Sequence, residues 1–230
     1  MEESSDGDPD LDLFATGERF GLKQDAAILK QLHQAGYFLD VETTSAELTS
    51  HPDATIALHW AAKQGYPREL RYLLDKGVHV FALEKGQRSQ RRTALHKASS
   101  GGWIKAVDVL IEKGSHLETR DANSWSPLHC AAYGGHCGVC ETLLKAGASV
   151  RSLNSFLETP LHCAARNGYI EVIKLLLDWG ADKLAEDVRG FTPFGRARLA
   201  KYTFEALRVP ELKKGQSNSI GESLNGWCRW

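Results

Sequence analysis

The 230-residue chain is predicted to fold as an all-α solenoid of stacked helix-turn-helix units with β-turn tips. Two observations carry this prediction: a short segment recurs at a nearly constant interval, and glycines recur in register with it. The recurring segments are Ile56-Ala57-Leu58-His59, Thr93-Ala94-Leu95-His96, Ser126-Pro127-Leu128-His129, Thr159-Pro160-Leu161-His162 and Thr192-Pro193-Phe194-Gly195. They begin 37, 33, 33 and 33 residues apart. Such a period indicates a stack of small units in place of one globular core.

Each recurring segment predicts the start of a short first helix. Ser126, Thr159 and Thr192 suit an N-cap, and each precedes a proline at the first helical position, where the missing N–H costs nothing. Pairs of small residues follow and allow neighbouring helices to approach closely. The pairs are Ala61-Ala62, Ala98-Ser99, Ala131-Ala132 and Ala164-Ala165, and the glycines expected to end these helices are Gly65, Gly102, Gly135 and Gly168.

A second, longer helix is predicted in every unit. A pair of branched apolar residues ends three residues before another glycine, which we expect in the left-handed conformation that closes many helices. The pairs are Leu73-Leu74, Leu110-Ile111, Leu143-Leu144 and Leu176-Leu177, and the closing glycines are Gly77, Gly114, Gly147 and Gly180. Two antiparallel helices per unit follow from this pattern.

The combined pattern resembles the ankyrin repeat over about residues 55–200. Gly147-Ala148-Ser149 and Gly180-Ala181-Asp182 match the end of that motif, and His96, His129 and His162 match its histidine. The resemblance implies a structural histidine that hydrogen-bonds the backbone at the turn. It also implies that partners contact the turn tips and the exposed, concave side of the first helices.

The predicted organisation has five parts. Residues 1–10 are acidic and expected to be disordered, and residues 11–54 are expected to form a degenerate capping repeat. Residues 55–191 form four ankyrin repeats. Residues 192–212 form a degenerate C-terminal cap, followed by a flexible tail over residues 213–230.

The cysteines and histidines could indicate a metal or redox site, but their positions in the repeat argue against both. Cys137 and Cys140 have CxxC spacing, but both are expected at apolar positions of a second helix, and no second CxxC pair completes four ligands. Cys130 and Cys163 should lie about 8–10 Å apart, too far for a disulfide. The motif histidines are likewise too far apart to share an ion. We therefore expect no metal, no cofactor and, since no catalytic motif is present, no enzymatic activity.

Composition places further limits on the partners. The net charge of −1 provides no general attraction to nucleic acid or to an anionic membrane. No secretory signal and no apolar run as long as a membrane span occur in the sequence. The expectation is a chain that is monomeric by itself, in the cytoplasm or the nucleus.

The candidate binding residues lie at the turn tips and along the first helices. Large apolar side chains at the tips mark an interface where they face solvent, and the alternative is that Trp125 and Phe156 pack sideways on the adjacent turn. The tip candidates are Trp125, Phe156, Leu157 and Phe191, and the first-helix candidates are Trp60, Lys97, Tyr133, Arg166 and Asn167.

These features favour a non-catalytic adaptor or scaffold that binds another protein through its concave face and turn tips. One alternative is a subunit that recruits substrates to an enzyme such as a ubiquitin ligase or a kinase. A less favoured alternative is a nucleic-acid-associated regulator. It would use the basic segment between Lys85 and Arg92 against phosphate, with a steep salt dependence.

Overall fold

The computed structural model describes residues 27, 28, 30–32, 34, 52–83 and 90–199. Within these residues the chain forms helices and turns, without a strand. The first helices of successive repeats are α1 (Pro52–Gln64), α3 (Ala94–Gly101), α5 (Pro127–Gly134), α7 (Pro160–Asn167) and α9 (Pro193–Leu199). The second helices are α2 (Pro67–Asp75), α4 (Ile104–Glu112), α6 (Cys137–Lys145) and α8 (Ile170–Asp178). The predicted all-α solenoid is confirmed.

The helix ends follow the local sequence signals. Thr93, Ser126 and Thr159 are the N-caps of α3, α5 and α7, and each forms a reciprocal capping box with the histidine three residues later. Gly102 and its counterparts at 135 and 168 then end these helices in the left-handed conformation. The second helices have nine residues against eight in α3, α5 and α7, so they are only slightly longer.

The first repeat differs from the sequence prediction. The segment at Ile56 was expected to start a helix, but α1 begins at Pro52 and carries Ile56 in its middle. Ile56 has no hydroxyl to cap a helix, whereas Pro52 suits a first helical position. His59 consequently hydrogen-bonds the Thr55 carbonyl oxygen within its own helix instead of forming a capping box.

The core lies between the stacked helices. First helices pack on the first helices of the next repeat, and second helices pack on second helices in the same way. The small pairs predicted from the sequence are fully buried, which allows this close approach. Leu32, in the helical residues 30–32, is also fully buried and joins the same core. The expected domain boundaries at residues 10 and 212 lie outside the described residues.

Backbone hydrogen bonds join the turn tips of successive repeats. The N–H of Ala122 donates to Gln90, that of Ser155 to Asn123, and that of Val188 to Phe156, at 2.8, 3.1 and 3.0 Å. Within each tip, one side-chain oxygen accepts two backbone N–H groups and fixes the turn. These oxygens belong to Asp121, Asn154 and Asp187.

Candidate protein-binding surface

Trp125 packs against its own repeat and is half-buried. Its ring is in T-shaped contact with the ring of Tyr133, with 5.2 Å between the ring centres, and 6.2 Å from the ring of His129. The sequence left open whether this tryptophan faces solvent or packs sideways, and in the structure it is half-buried against Tyr133 of its own repeat. The residue immediately before the capping Ser126 lies beside the start of α5, so its side chain lies along that helix.

Phe191 is half-buried in the equivalent position two repeats further on. The guanidinium of Arg196 lies 5.3 Å from its ring centre and covers one face. In the repeat between them, Glu158 occupies the same place in the register. Trp125, Phe156 and Phe191 therefore do not form one row of equivalent tip residues, because Phe156 lies two residues before that position.

Phe156 and Leu157 are the large apolar side chains that face solvent at the tip of this repeat. They are 52% and 46% exposed. Leu157 has a φ of 55°, a left-handed conformation that costs a non-glycine residue energy. At the same place in the next repeat stands Gly190, which adopts this conformation without a Cβ clash.

Tyr133 connects the tip to the first helices. It projects from α5 and is 46% exposed, with the Trp125 ring in T-shaped contact and the guanidinium of Arg166 in α7 5.6 Å from its ring centre. An aromatic ring held between a second aromatic ring and a cation has little freedom to move. The structure therefore brings three of the candidate residues into one cluster that spans two repeats.

A buried carboxylate holds the arginine of this cluster in place. Glu158 is almost fully buried and accepts from Arg166 at 3.1 Å, while Arg196 of α9 lies 3.5 Å from the same oxygen. Arg196 also pairs with Asp187. Burial alone would raise the pKa of Asp187, but hydrogen bonds from backbone amides and from Arg196 outweigh it and lower that pKa. This network was not predicted from the sequence.

The remaining candidate residues on the first helices lie apart from the cluster around Tyr133. Trp60 in α1 is half-buried, with its ring centre 5.2 Å from that of Tyr66. Lys97 in α3 is half-buried at the equivalent place in the next repeat. Asn167 donates its side-chain N–H to the Tyr133 carbonyl oxygen at 2.8 Å, so its amide links α7 to α5. These three residues lie outside the Trp125, Tyr133 and Arg166 cluster.

The motif histidines have the structural role that the resemblance implied. Nε2 donates to a carbonyl oxygen in the following repeat at 2.9 to 3.0 Å, and Nδ1 accepts from the backbone N–H of the N-cap residue. Both ring nitrogens are thus engaged within the fold. The three residues with this arrangement are His96, His129 and His162.

The cysteines of the CxxC pair differ in burial. Cys140 is fully buried, and desolvation raises its pKa to about 12. Cys137 was also expected in the apolar core, but as the first residue of α6 it lies at the edge and is half-buried. Desolvation raises its pKa as well. Within the described ranges, no three His, Cys, Asp or Glu side chains are grouped to hold a metal ion.

Comparison with known families agrees with the geometry. A family model described as ankyrin repeats (3 copies) matches residues 22–121, 58–154 and 117–187. No curated protein matches the chain. None of the helices in the described part of the chain is long and apolar enough to cross a membrane.

Proposed function

The chain belongs to the ankyrin-repeat family, and on that premise we propose that it is a non-catalytic adaptor that binds another protein. Ankyrin repeats generally mediate protein–protein interaction. The proposed binding surface, here called the first-helix surface, comprises the exposed side of the first helices and the adjoining tip at Phe156 and Leu157. Its candidate residues on the helices are Trp60, Lys97, Tyr133, Arg166 and Asn167, and at the tips Trp125, Phe156, Leu157 and Phe191.

The observation that carries the proposal is the half-exposed ring of Tyr133. Interface anchors are commonly Tyr, Trp or Arg side chains, and binding energy is concentrated in a few of them. Trp125 and Arg166 hold this ring in one orientation before a partner arrives, which lowers the entropy cost of association. Trp125 contributes by supporting Tyr133 more than by direct exposure.

Leu157 supports the same surface for a different reason. The left-handed conformation recurs at this register position, at Arg91, Ser124 and Gly190, so it belongs to the repeat turn, and the side chain is what distinguishes Leu157. Leu157 is the one large apolar side chain among these four positions, and it is exposed next to exposed Phe156. Contact with a partner would bury both side chains.

The non-catalytic assignment is supported by the state of the reactive side chains. The motif histidines use both ring nitrogens in structural hydrogen bonds, and burial raises the pKa of the Cys130 and Cys140 thiols to about 12. All four cysteines in the described residues are free thiols. Free thiols fit the reducing cytoplasm or nucleus, where we place the adaptor.

The test is a capture experiment with a matched control. The full chain, its Tyr133→Ala variant and its Trp179→Ala variant are used to capture partners from cell extract. Trp179 lies at the end of α8 and is 43% exposed, so both variants remove a comparably exposed aromatic ring. We expect Tyr133→Ala to lose its main partner while Trp179→Ala retains it. Equal capture by both variants, with unchanged melting temperatures, would contradict the proposed surface.

The identity of the captured partner separates the alternative functions. Recovery of a ubiquitin ligase or kinase through Tyr133 would make the chain a recruiting subunit, which is a more specific form of the same proposal. Capture that depends on nucleic acid and disappears after nuclease treatment would favour the nucleic-acid-associated alternative. A direct assay of the purified chain for turnover is the check on the non-catalytic assignment.

A further inference from the structure

Charge is distributed unequally between the two layers of helices. The five first helices contain five basic residues and one acidic residue, Asp53. The four second helices contain five basic and seven acidic residues. The chain as a whole is almost neutral, so this asymmetry is a property of the layers and is invisible in the net charge of −1.

Acidic groups next to the first helices are withdrawn from solvent. Asp121 and Asp187 are buried in the tips, where each accepts backbone N–H groups and pairs with an arginine, and buried Glu158 pairs with Arg166 and Arg196. Among the first-helix side chains whose exposure the structure describes, which leave out Asp53 and Arg198, every charged one that reaches solvent is basic. These side chains are Lys63, Lys97, Arg166 and Arg196.

The basic side chains alternate with aromatic ones along the stack. Trp60 and Lys63 lie on α1, Lys97 lies on α3, and Tyr133 and Arg166 lie on α5 and α7. Neighbouring helices pack about 8–10 Å apart. A partner that lies along this surface therefore meets apolar rings and positive charges, and the first-helix side chains that the structure describes add no exposed carboxylate to repel it.

We propose that the first-helix surface binds an acidic protein segment whose carboxylates are interspersed with large apolar side chains. This inference rests on the proposed function and specifies the chemistry of its partner. The carboxylates would lie against Lys63 and Lys97, where charge complementarity accelerates encounter and selects against basic partners. The apolar side chains would lie against Trp60 and Tyr133, which supply contact area at low entropy cost.

The first experiment identifies the preferred peptide chemistry. The immobilised full chain is used to select from a displayed library of random 12-residue peptides. We expect the enriched peptides to be net negative and to contain Trp, Phe or Leu. Affinities of the selected synthetic peptides are then measured for the Lys63→Glu/Lys97→Glu variant and for a control, Lys105→Glu/Lys174→Glu, which makes the same charge change on exposed lysines of α4 and α8.

The two variants should respond differently. We expect the first-helix variant to weaken binding at least tenfold and the control to change it less than twofold. Binding to the unmodified chain should also weaken several-fold as salt is raised from 50 to 300 mM, because screening reduces the charge attraction. Enrichment of neutral or basic peptides whose binding requires Tyr133 would overturn this inference while leaving the proposed function intact.

Two other outcomes have distinct meanings. Failure to enrich any peptide whose binding is lost in Tyr133→Ala would contradict the proposed surface itself. A fluorescent 20-nucleotide single strand serves as the competing probe. If it binds with the same dependence on Lys63 and Lys97 and displaces the selected peptides, a nucleic acid is the better occupant and the acidic-segment inference is overturned.

Discussion

The Nε2 atom of His129 lies 2.9 Å from the carbonyl oxygen of Glu158, 29 residues further along the chain. The other ring nitrogen accepts the backbone N–H of Ser126 at 3.3 Å. A neutral imidazole protonated on Nε2 satisfies both bonds, whereas a doubly protonated ring loses the acceptor that Ser126 requires. The same arrangement at His96 and His162 links each repeat to the next.

This geometry predicts that acid destabilises the array. Desolvation lowers the pKa of His129 from 6.5 to about 4, and it also lowers the pKa values of His96 and His162. Below pH 6.5 the unfolded chain binds protons that the folded chain excludes, so the free energy of unfolding falls between pH 6.5 and about 4. For His129 the loss approaches about 3 kcal/mol.

Urea denaturation at a series of pH values measures this loss. The midpoint should be lower at about pH 5 than at about pH 7.5, and the difference should shrink when all three motif histidines are replaced by glutamine. Equal midpoints across this range in the unmodified chain would be inconsistent with neutral, buried histidines.

Two helical glycines, Gly101 and Gly138, should respond to substitution by alanine in opposite directions. A Cβ at Gly101 would lie 2.3 Å from Nε1 of Trp103, which is held by its hydrogen bond to the Lys63 carbonyl oxygen. Gly101→Ala should therefore destabilise the fold by about 1–2 kcal/mol. A Cβ at Gly138 meets only the end of the flexible Ile104 side chain, so Gly138→Ala should stabilise by up to about 1 kcal/mol. Thermal unfolding of both variants is the check, and stabilisation by Gly101→Ala would show that the indole ring moves freely.

The parts of the fold that depend on local sequence were predictable. Capping by Thr93, Ser126 and Thr159 involves residues three apart, and the left-handed glycines follow from backbone sterics alone. The start of α1 at Pro52 departs from the recurring pattern, because Ile56 has the sequence position of a cap but no hydroxyl to form one.

The candidate surface was only partly predictable because it depends on contacts between repeats. Spacing placed Trp125 at a tip, but the direction of its ring along α5 depends on Tyr133 eight residues later. The network from Glu158 to Arg166 and Arg196 connects two repeats through charges 8 and 38 residues apart in sequence. The available sequence signal for this network was Glu158 itself. It is a charged residue at the register position where the neighbouring repeats have Trp125 and Phe191.

The network of Glu158 with its two arginines predicts that neutralising the Glu158 carboxylate lowers the free energy of unfolding substantially. Glu158→Gln leaves Arg166 without its carboxylate and Arg196 with Asp187 alone, and breaking a fully buried pair costs about 3–5 kcal/mol. Because Arg166 is about one-third exposed, we expect about 2 kcal/mol here. Glu141, paired with Lys145 on the surface of α6, is the control, and Glu141→Gln should cost less than about 0.5 kcal/mol. Similar urea midpoints for the two variants would mean that solvent compensates the Glu158 charge.

Leu157 allows backbone strain to be measured apart from side-chain contacts. At ordinary positions alanine is more stable than glycine by about 0.5–1 kcal/mol, but a left-handed φ of 55° reverses that preference. Leu157→Gly should therefore be more stable than Leu157→Ala by about 1 kcal/mol, since both variants lose the same apolar side chain. At the exposed helical residue Ser100, the matched pair should show the ordinary order, with alanine more stable than glycine. If Leu157→Ala proves the more stable of its pair in thermal unfolding, the left-handed turn is not strained.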